Sequence, residues 1–155
     1  MKIKKKVFIG LAFSLFIIAC ETTPTISIKV EGNSPTKFLI EHKYCYPSLQ
    51  VVEIPPENGC KTHYFSDSNK ILWSVNIKRD SLTNELTLIT YGNTPESYIQ
   101  KIPNGKPPVP LQEGKLYAVD VICSSLHGDS KLFIIRNGQP VEIEFGKCPS
   151  DVPNK

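Results

Sequence analysis

The sequence predicts an all-β domain, an antiparallel β-sandwich of about seven to eight strands, on three observations. Apolar and β-branched residues recur at period two in separate short stretches along the chain. Gly, Pro, Asn and Asp cluster between those stretches, where turns are needed. No stretch beyond the first twenty residues sustains helical periodicity. A small closed β-barrel is the alternative architecture.

The elements follow in order. Residues 25–31 place Ile26, Ile28 and Val30 on one face. Residues 37–46 carry Phe38 and Ile40 on one side and Leu39 on the other. Residues 49–54 form a short strand that stops at Pro55-Pro56, because proline brings no N–H to a ladder. Residues 57–69 read as a polar loop. In 71–78, Ile71, Trp73, Val75 and Ile77 alternate with Leu72, Ser74, Asn76 and Lys78. Beyond the turn-like 80–84, Leu86, Leu88 and Thr90 alternate with Thr87, Ile89 and Tyr91, so these two runs are expected to pair as a hairpin. Five prolines and three glycines then break the pattern over 92–115. Strands resume at 116–123, with Tyr117, Val119, Val121 and Cys123 on one face, and at 132–136 after a turn at 126–130. Asn137-Gly138 is a hairpin turn signal, since both residues tolerate positive φ. Val141, Ile143 and Phe145 complete the last strand. The inner faces would bury Trp73, Val75, Tyr117, Val119 and Ile134 in a sandwich of immunoglobulin-like character.

The chain opens with Lys2, Lys4, Lys5 and Lys6, then an apolar run from Val7 to Ile18, then Ala19 and Cys20. The run is too short to span a bilayer and has the flanks of an export signal. Ending in Ile17-Ile18-Ala19-Cys20, it resembles the lipobox of bacterial lipoproteins. That resemblance implies cleavage before Cys20 and acylation of Cys20, giving a signal at 1–19 and a lipidated cysteine with a short tether at 20–24. One β domain at 25–148 and a tail at 149–155 complete the expected organisation. The tether is short, so the domain would sit close to the membrane. Glu21, where enteric lipoproteins use Asp for inner-membrane retention, implies an outer-membrane, periplasm-facing location. Four lysines leave with the signal, taking the formal charge from +3 to about −1 and removing the electrostatic case for nucleic-acid binding.

Four cysteines remain: Cys45, Cys60, Cys123 and Cys148. An even count in an exported domain reads as two disulfides. Local pairing, Cys45 with Cys60 and Cys123 with Cys148, is favoured among the three possibilities because each closes a short loop. Cys60-Lys-Thr-His63 has metal-ligand spacing, but zinc needs four ligands and no second pair is present, so no metal or other cofactor is expected. No nucleophile elbow, zinc-protease motif or phosphate-cradling loop occurs. The polar run Cys123-Ser124-Ser125-Leu126-His127-Gly128-Asp129-Ser130 has nucleophile, base and acid types, yet in one contiguous segment whose composition a turn requires. His42 and His63 read as structural or surface histidines. The chain is therefore not expected to be an enzyme.

Recognition of a protein partner is the remaining class. Residues 92–115 form a connection longer than most inside a compact domain, and such loops are commonly functional. Prolines limit the unbound conformations and so lower the entropy lost on binding. Tyr98, Ile99 and Ile102 supply apolar anchors beside Lys101 and Lys106. The plainer reading is a crossover between sheets carrying one irregular edge strand. Trp73, Tyr91-Gly92 with Pro95, and Leu111-x-x-Gly114-x-x-Tyr117 resemble the spacing in small periplasmic lipoproteins of type VI secretion immunity, and that likeness implies a compact β domain that neutralises a toxin. Lysozyme-inhibitor lipoproteins are also small, disulfide-bonded and all-β, but their S-G-x-x-Y loop is absent here. The expectation is a membrane-anchored lipoprotein that binds a toxin or an envelope component. An envelope-assembly accessory and an enzyme acting on an envelope polymer are the alternatives.

Overall fold

The computed structural model describes residues 25–32, 35–43, 45–55, 70–79, 86–123 and 128–147. They hold nine strands: β1 (Thr25–Glu31), β2 (Lys37–Lys43), β3 (Ser48–Ile54), β4 (Lys70–Ile77), β5 (Leu86–Thr90), β6 (Tyr98–Ile102), β7 (Leu116–Ile122), β8 (Gly128–Arg136) and β9 (Gln139–Ile143). Among the described residues there is no α-helix. Two sheets form, a small one in the order β1-β2-β5 and a large one in the order β6-β4-β3-β7-β8-β9. Every strand pair is antiparallel, and neither sheet closes on itself. The architecture is a β-sandwich, as expected, with β6 as the additional strand.

The chain switches sheets after β2, after β4 and after β5. This places β1, β2 and β5 where an immunoglobulin-type sandwich has strands A, B and E, and β3, β7 and β8 where it has C, F and G. Tyr117, at the start of β7, accepts a hydrogen bond on its hydroxyl from the backbone N–H of Gln112, five residues upstream, at 2.8 Å. A tyrosine at the entry to strand F bonded back in this manner is the tyrosine corner of that architecture.

The core lies between the sheets. Ile28, Phe38, Ile40 and Ile89 from the small sheet meet Leu49, Val51, Trp73, Val75, Tyr117, Val119, Val121, Phe133 and Ile135 from the large one. Phe38 meets Phe133 edge-on, and Phe133 stacks on Tyr117. Trp73, Val75, Tyr117 and Val119 are thus buried where the alternation put them. Ile134 is not: Phe133 and Ile135 point inward, and Ile134 joins Val52, Ile54, Leu116, Ala118, Leu132 and Ile143 in a second buried cluster on the opposite face of the large sheet. A pleated strand sends neighbours to opposite faces, so one residue of phase decides this.

The expected hairpin of 71–78 with 86–91 does not form. β4 pairs with β3 and β6, while β5 pairs with β2 in the other sheet. Alternation marks a half-buried strand but carries no information about its neighbour. The Asn137-Gly138 turn does form, with φ of 53° and 72° joining β8 to β9.

The cysteine pairing also differs from the local one expected. Cys45 is bonded to Cys123, 78 residues away, with Cα atoms 5.5 Å apart. The register of β3 on β7 sets Ser48 opposite Ile122, so the two cysteines lie just past the paired ends of adjacent strands. Cys60 and Cys148 lie outside the described residues, as do Cys20, His63 and His127.

Candidate functional site

Residues 92–115 are ordered by contacts that begin at a turn. Gly92 takes φ of 77°, and a Cβ there would sit 3.3 Å from Pro108 Cγ, so glycine lets the proline-rich stretch lie against the turn. Asn93 N–H bonds to the Thr90 carbonyl and Tyr98 N–H to the Pro95 carbonyl, delivering the chain into β6 at the edge of the large sheet.

Gln100, in the middle of β6, holds the rest. Its Oε1 accepts from Trp73 Nε1–H at 3.0 Å and from Thr94 Oγ1 at 3.2 Å. Its Nε2 donates to the carbonyls of Pro103, at 2.5 Å, and Lys106, at 2.7 Å. One carboxamide therefore joins the core tryptophan, the incoming turn and the outgoing loop. Tyr91 completes the frame: its ring meets Trp73 edge-on, and its hydroxyl donates to the Val109 carbonyl at 2.8 Å. Burial, with Tyr117 nearby, holds the Tyr91 phenol well above its ordinary pKa, so it keeps its proton and remains a donor. Further along, the Glu113 carboxylate accepts from the N–H groups of Asn137 and Gly138, and Gly114 N–H bonds to the Ile135 carbonyl.

Of the expected partner-contact residues, Ile99, Lys101 and Ile102 are exposed on this frame, with Ile99 at 46%. Tyr98 is the correction. It is 4% exposed and packs in the core between the sheets, its hydroxyl beside Thr87 without a hydrogen bond of standard geometry. Entry into β6 reverses the faces, so Tyr98 turns inward and Ile99 outward. Lys106, Pro107, Val109 and Pro110 are exposed as well, with Val109 at 53%. The arrangement is a fixed apolar and cationic surface. Nothing in the alternation singled out Gln100 or Tyr91 as its organisers: Gln100 stands opposite Val75, and only its side chain reaches Trp73.

Open depressions also occur among the described residues. One of about 540 Å³ is lined by Tyr46, Pro47, Ser48, Asn76, Ile77 and Arg79. Another of about 300 Å³ adjoins the segment just described, between Tyr91, Pro110, Leu111 and Glu113 on one side and Thr36 and Ile135 on the other. Among the described residues no three His, Cys, Asp or Glu side chains gather as metal ligands would. In the polar run at 123–130, Cys123 is spent in the disulfide and 124–127 lie outside the described residues. Asp129 there accepts from Ile28 N–H at 3.0 Å and Ser130 N–H at 2.9 Å, which is a structural use of its carboxylate. His42 is buried in β2.

Compared with family models, with curated proteins and with solved structures, the chain matches none.

Proposed function

We propose that this chain is a bacterial envelope lipoprotein, held through lipid on Cys20 and acting by binding another protein, with neutralisation of a toxin as its sharpest form. The lipobox-like ending of the signal supports the anchor, and Glu21 supports the outer membrane. The observation that carries the binding reading is the surface at 92–115. Ile99, Lys101, Ile102 and Val109 are exposed on backbone that Gln100 and Tyr91 tie to the core. Apolar side chains held in place lose little entropy on contact, which is how an interface gains affinity without large area.

The test is a survival assay with the gene deleted and the strain challenged by a toxin-secreting competitor. The parent protein should restore survival, while Ile99→Asp with Ile102→Asp, which places two charges on the surface without touching the core, should not. Equal protection by the double variant would remove this surface from the function. Cys20→Ala should in parallel leave an uncleaved precursor that takes up no labelled fatty acid, and labelling equal to the parent would remove the lipid anchor.

A further inference from the structure

We infer that the stretch Lys106, Pro107, Pro108, Val109 and Pro110 is a pre-ordered polyproline element, presented to a groove lined by aromatic side chains on the protein partner. The inference rests on the protein-binding reading and names the element that is recognised and the chemistry that recognises it.

Stereochemistry is the first support. Each proline ring fixes φ near the polyproline value, and a following proline pushes Lys106, Pro107 and Val109 away from helical ψ. Each of the five residues is thereby restricted in φ, in ψ or in both before any tertiary contact, and the three Xaa-Pro bonds within the stretch are trans. The chain forms no helix or strand here.

Burial is the second. A polyproline II helix has about three residues per turn, so every third side chain shares a face. Pro108 and Leu111 are half-buried, while Lys106, Pro107, Val109 and Pro110 are exposed. The inward face docks Pro108 on Gly92 and Leu111 on the core. The two outward faces carry Pro107 with Pro110, and Lys106 with Val109. That is the P-x-x-P spacing which aromatic grooves accept, with a cation beside it.

The third support is the tethering. The Lys106 carbonyl is held by Gln100 and the Val109 carbonyl by Tyr91, so both ends are bonded to residues that contact Trp73. A crossover needs only length. Two side-chain bonds spent on the backbone of an exposed stretch hold it in one presentation. The partner groove is expected to combine aromatic walls, for the proline faces, with a carboxylate for Lys106.

The experiment uses the full chain in its producing cell, with p-benzoylphenylalanine placed at Val109 or, separately, at Ile99, and with Lys29 on the small sheet as control. A photo-adduct from position 109, mapped to a partner peptide that contains aromatic residues, is the expected result. Pro107→Ala with Pro110→Ala should lower its yield by about tenfold or more, as loss of interface anchors does. A synthetic peptide of residues 104–111 in excess should compete, and the same peptide with alanine at both prolines should not; this arm decides the matter even if the double variant loses its fold. An adduct from 109 that survives the proline changes and the peptide, or one mapped to a peptide without aromatic residues, overturns the inference. An adduct from Ile99 with none from 109 also overturns it, while leaving the protein-binding reading intact. No adduct from either position removes both.

Discussion

Cys45 and Cys123 show how single residues tie distant parts of this chain together. Their bond joins the connection between β2 and β3 to the residue just past the end of β7, closing a separation of 78 residues. By the chain-entropy relation, a loop of that size is worth about 4–5 kcal/mol against the unfolded state. Cys45→Ser with Cys123→Ser should lower the unfolding free energy by roughly that amount, read from denaturant titration. Peptide mapping of the oxidised protein should recover Cys45 linked to Cys123; a Cys45 link to Cys60 would contradict the fold described. Asp120 is the other residue with a distinct signature. It is buried on β7 opposite Ser130, and burial holds its carboxyl above the ordinary carboxylate range, with a hydrogen bond involving Ser130 partly offsetting this. A raised pKa in the folded state means that folding favours the proton. The stability is therefore fully present below the unfolded pKa, about 3.9, and falls as pH rises through the raised value. Asp120→Asn should remove that fall, giving a flatter stability profile from about pH 4 upward and a gain over the parent at neutral pH. Urea midpoints across that range check it; parallel profiles would show that the group does not titrate differently on folding.

Among the elements, β6 and the segment behind it depend on Gln100. Gln100→Ala removes four hydrogen bonds and leaves Trp73 Nε1–H, part-buried, without its acceptor. The cost is expected at about 1–3 kcal/mol, the range for a buried donor left unpaired. Gln100→Glu is the sharper test. It keeps an acceptor for Trp73 but sets a second carboxylate oxygen against the carbonyls of Pro103 and Lys106. Hydrogen exchange at Gly105, Lys106 and Val109 should rise above the parent in both variants, and further in Gln100→Glu. Unchanged exchange would mean that the proline-rich stretch is held by its own stereochemistry alone. β7 illustrates a different point. Alternation gave it one buried face, but it lies inside a six-stranded sheet, and every side chain from Leu116 to Val121 is buried. An interior strand with apolar clusters on both faces loses the polar alternation that marks a half-solvated one.

At the scale of the molecule, two sheets of unequal width leave strand edges to manage. β6 is short, bears Lys101, has irregular pairing with β4 and ends at Pro103. β9 has Pro140 and Glu142. These are the usual means of blunting an edge against pairing with another chain. β1 uses another: Asp129, reaching from β8 in the large sheet, accepts its Ile28 N–H. This bond both blocks the β1 edge and ties the sheets together. Asp129→Ala should cost about 1–3 kcal/mol by leaving that N–H unpaired. It should also raise self-association at high concentration, measured by sedimentation; a variant as stable as the parent and no more self-associated would reduce Asp129 to a surface residue.

Local patterning was enough for the all-β class and for the position of every strand but β6. Phe38, Ile40, Trp73, Val75, Tyr117 and Val119 face inward as their alternation requires, because a side-chain period of two is a local property of extended backbone. Asn137-Gly138 likewise makes its turn because both residues accept positive φ without help from elsewhere. Which strand lies beside which is set by long-range pairing and was not legible in the local pattern. β4 and β5 alternate as a hairpin would, yet they part into different sheets: β4 finds its ladders with β3 and β6, and β5 with β2, three strands back in the chain. Cys45 met Cys123 for the same reason, through the register of β3 on β7 rather than through proximity along the chain. Tyr98 shows the same division within the candidate site. Its residue type fitted an anchor, but the face on which β6 joins β4 turned it inward and left Ile99 outside, a one-residue phase that only the pairing of two strands can set.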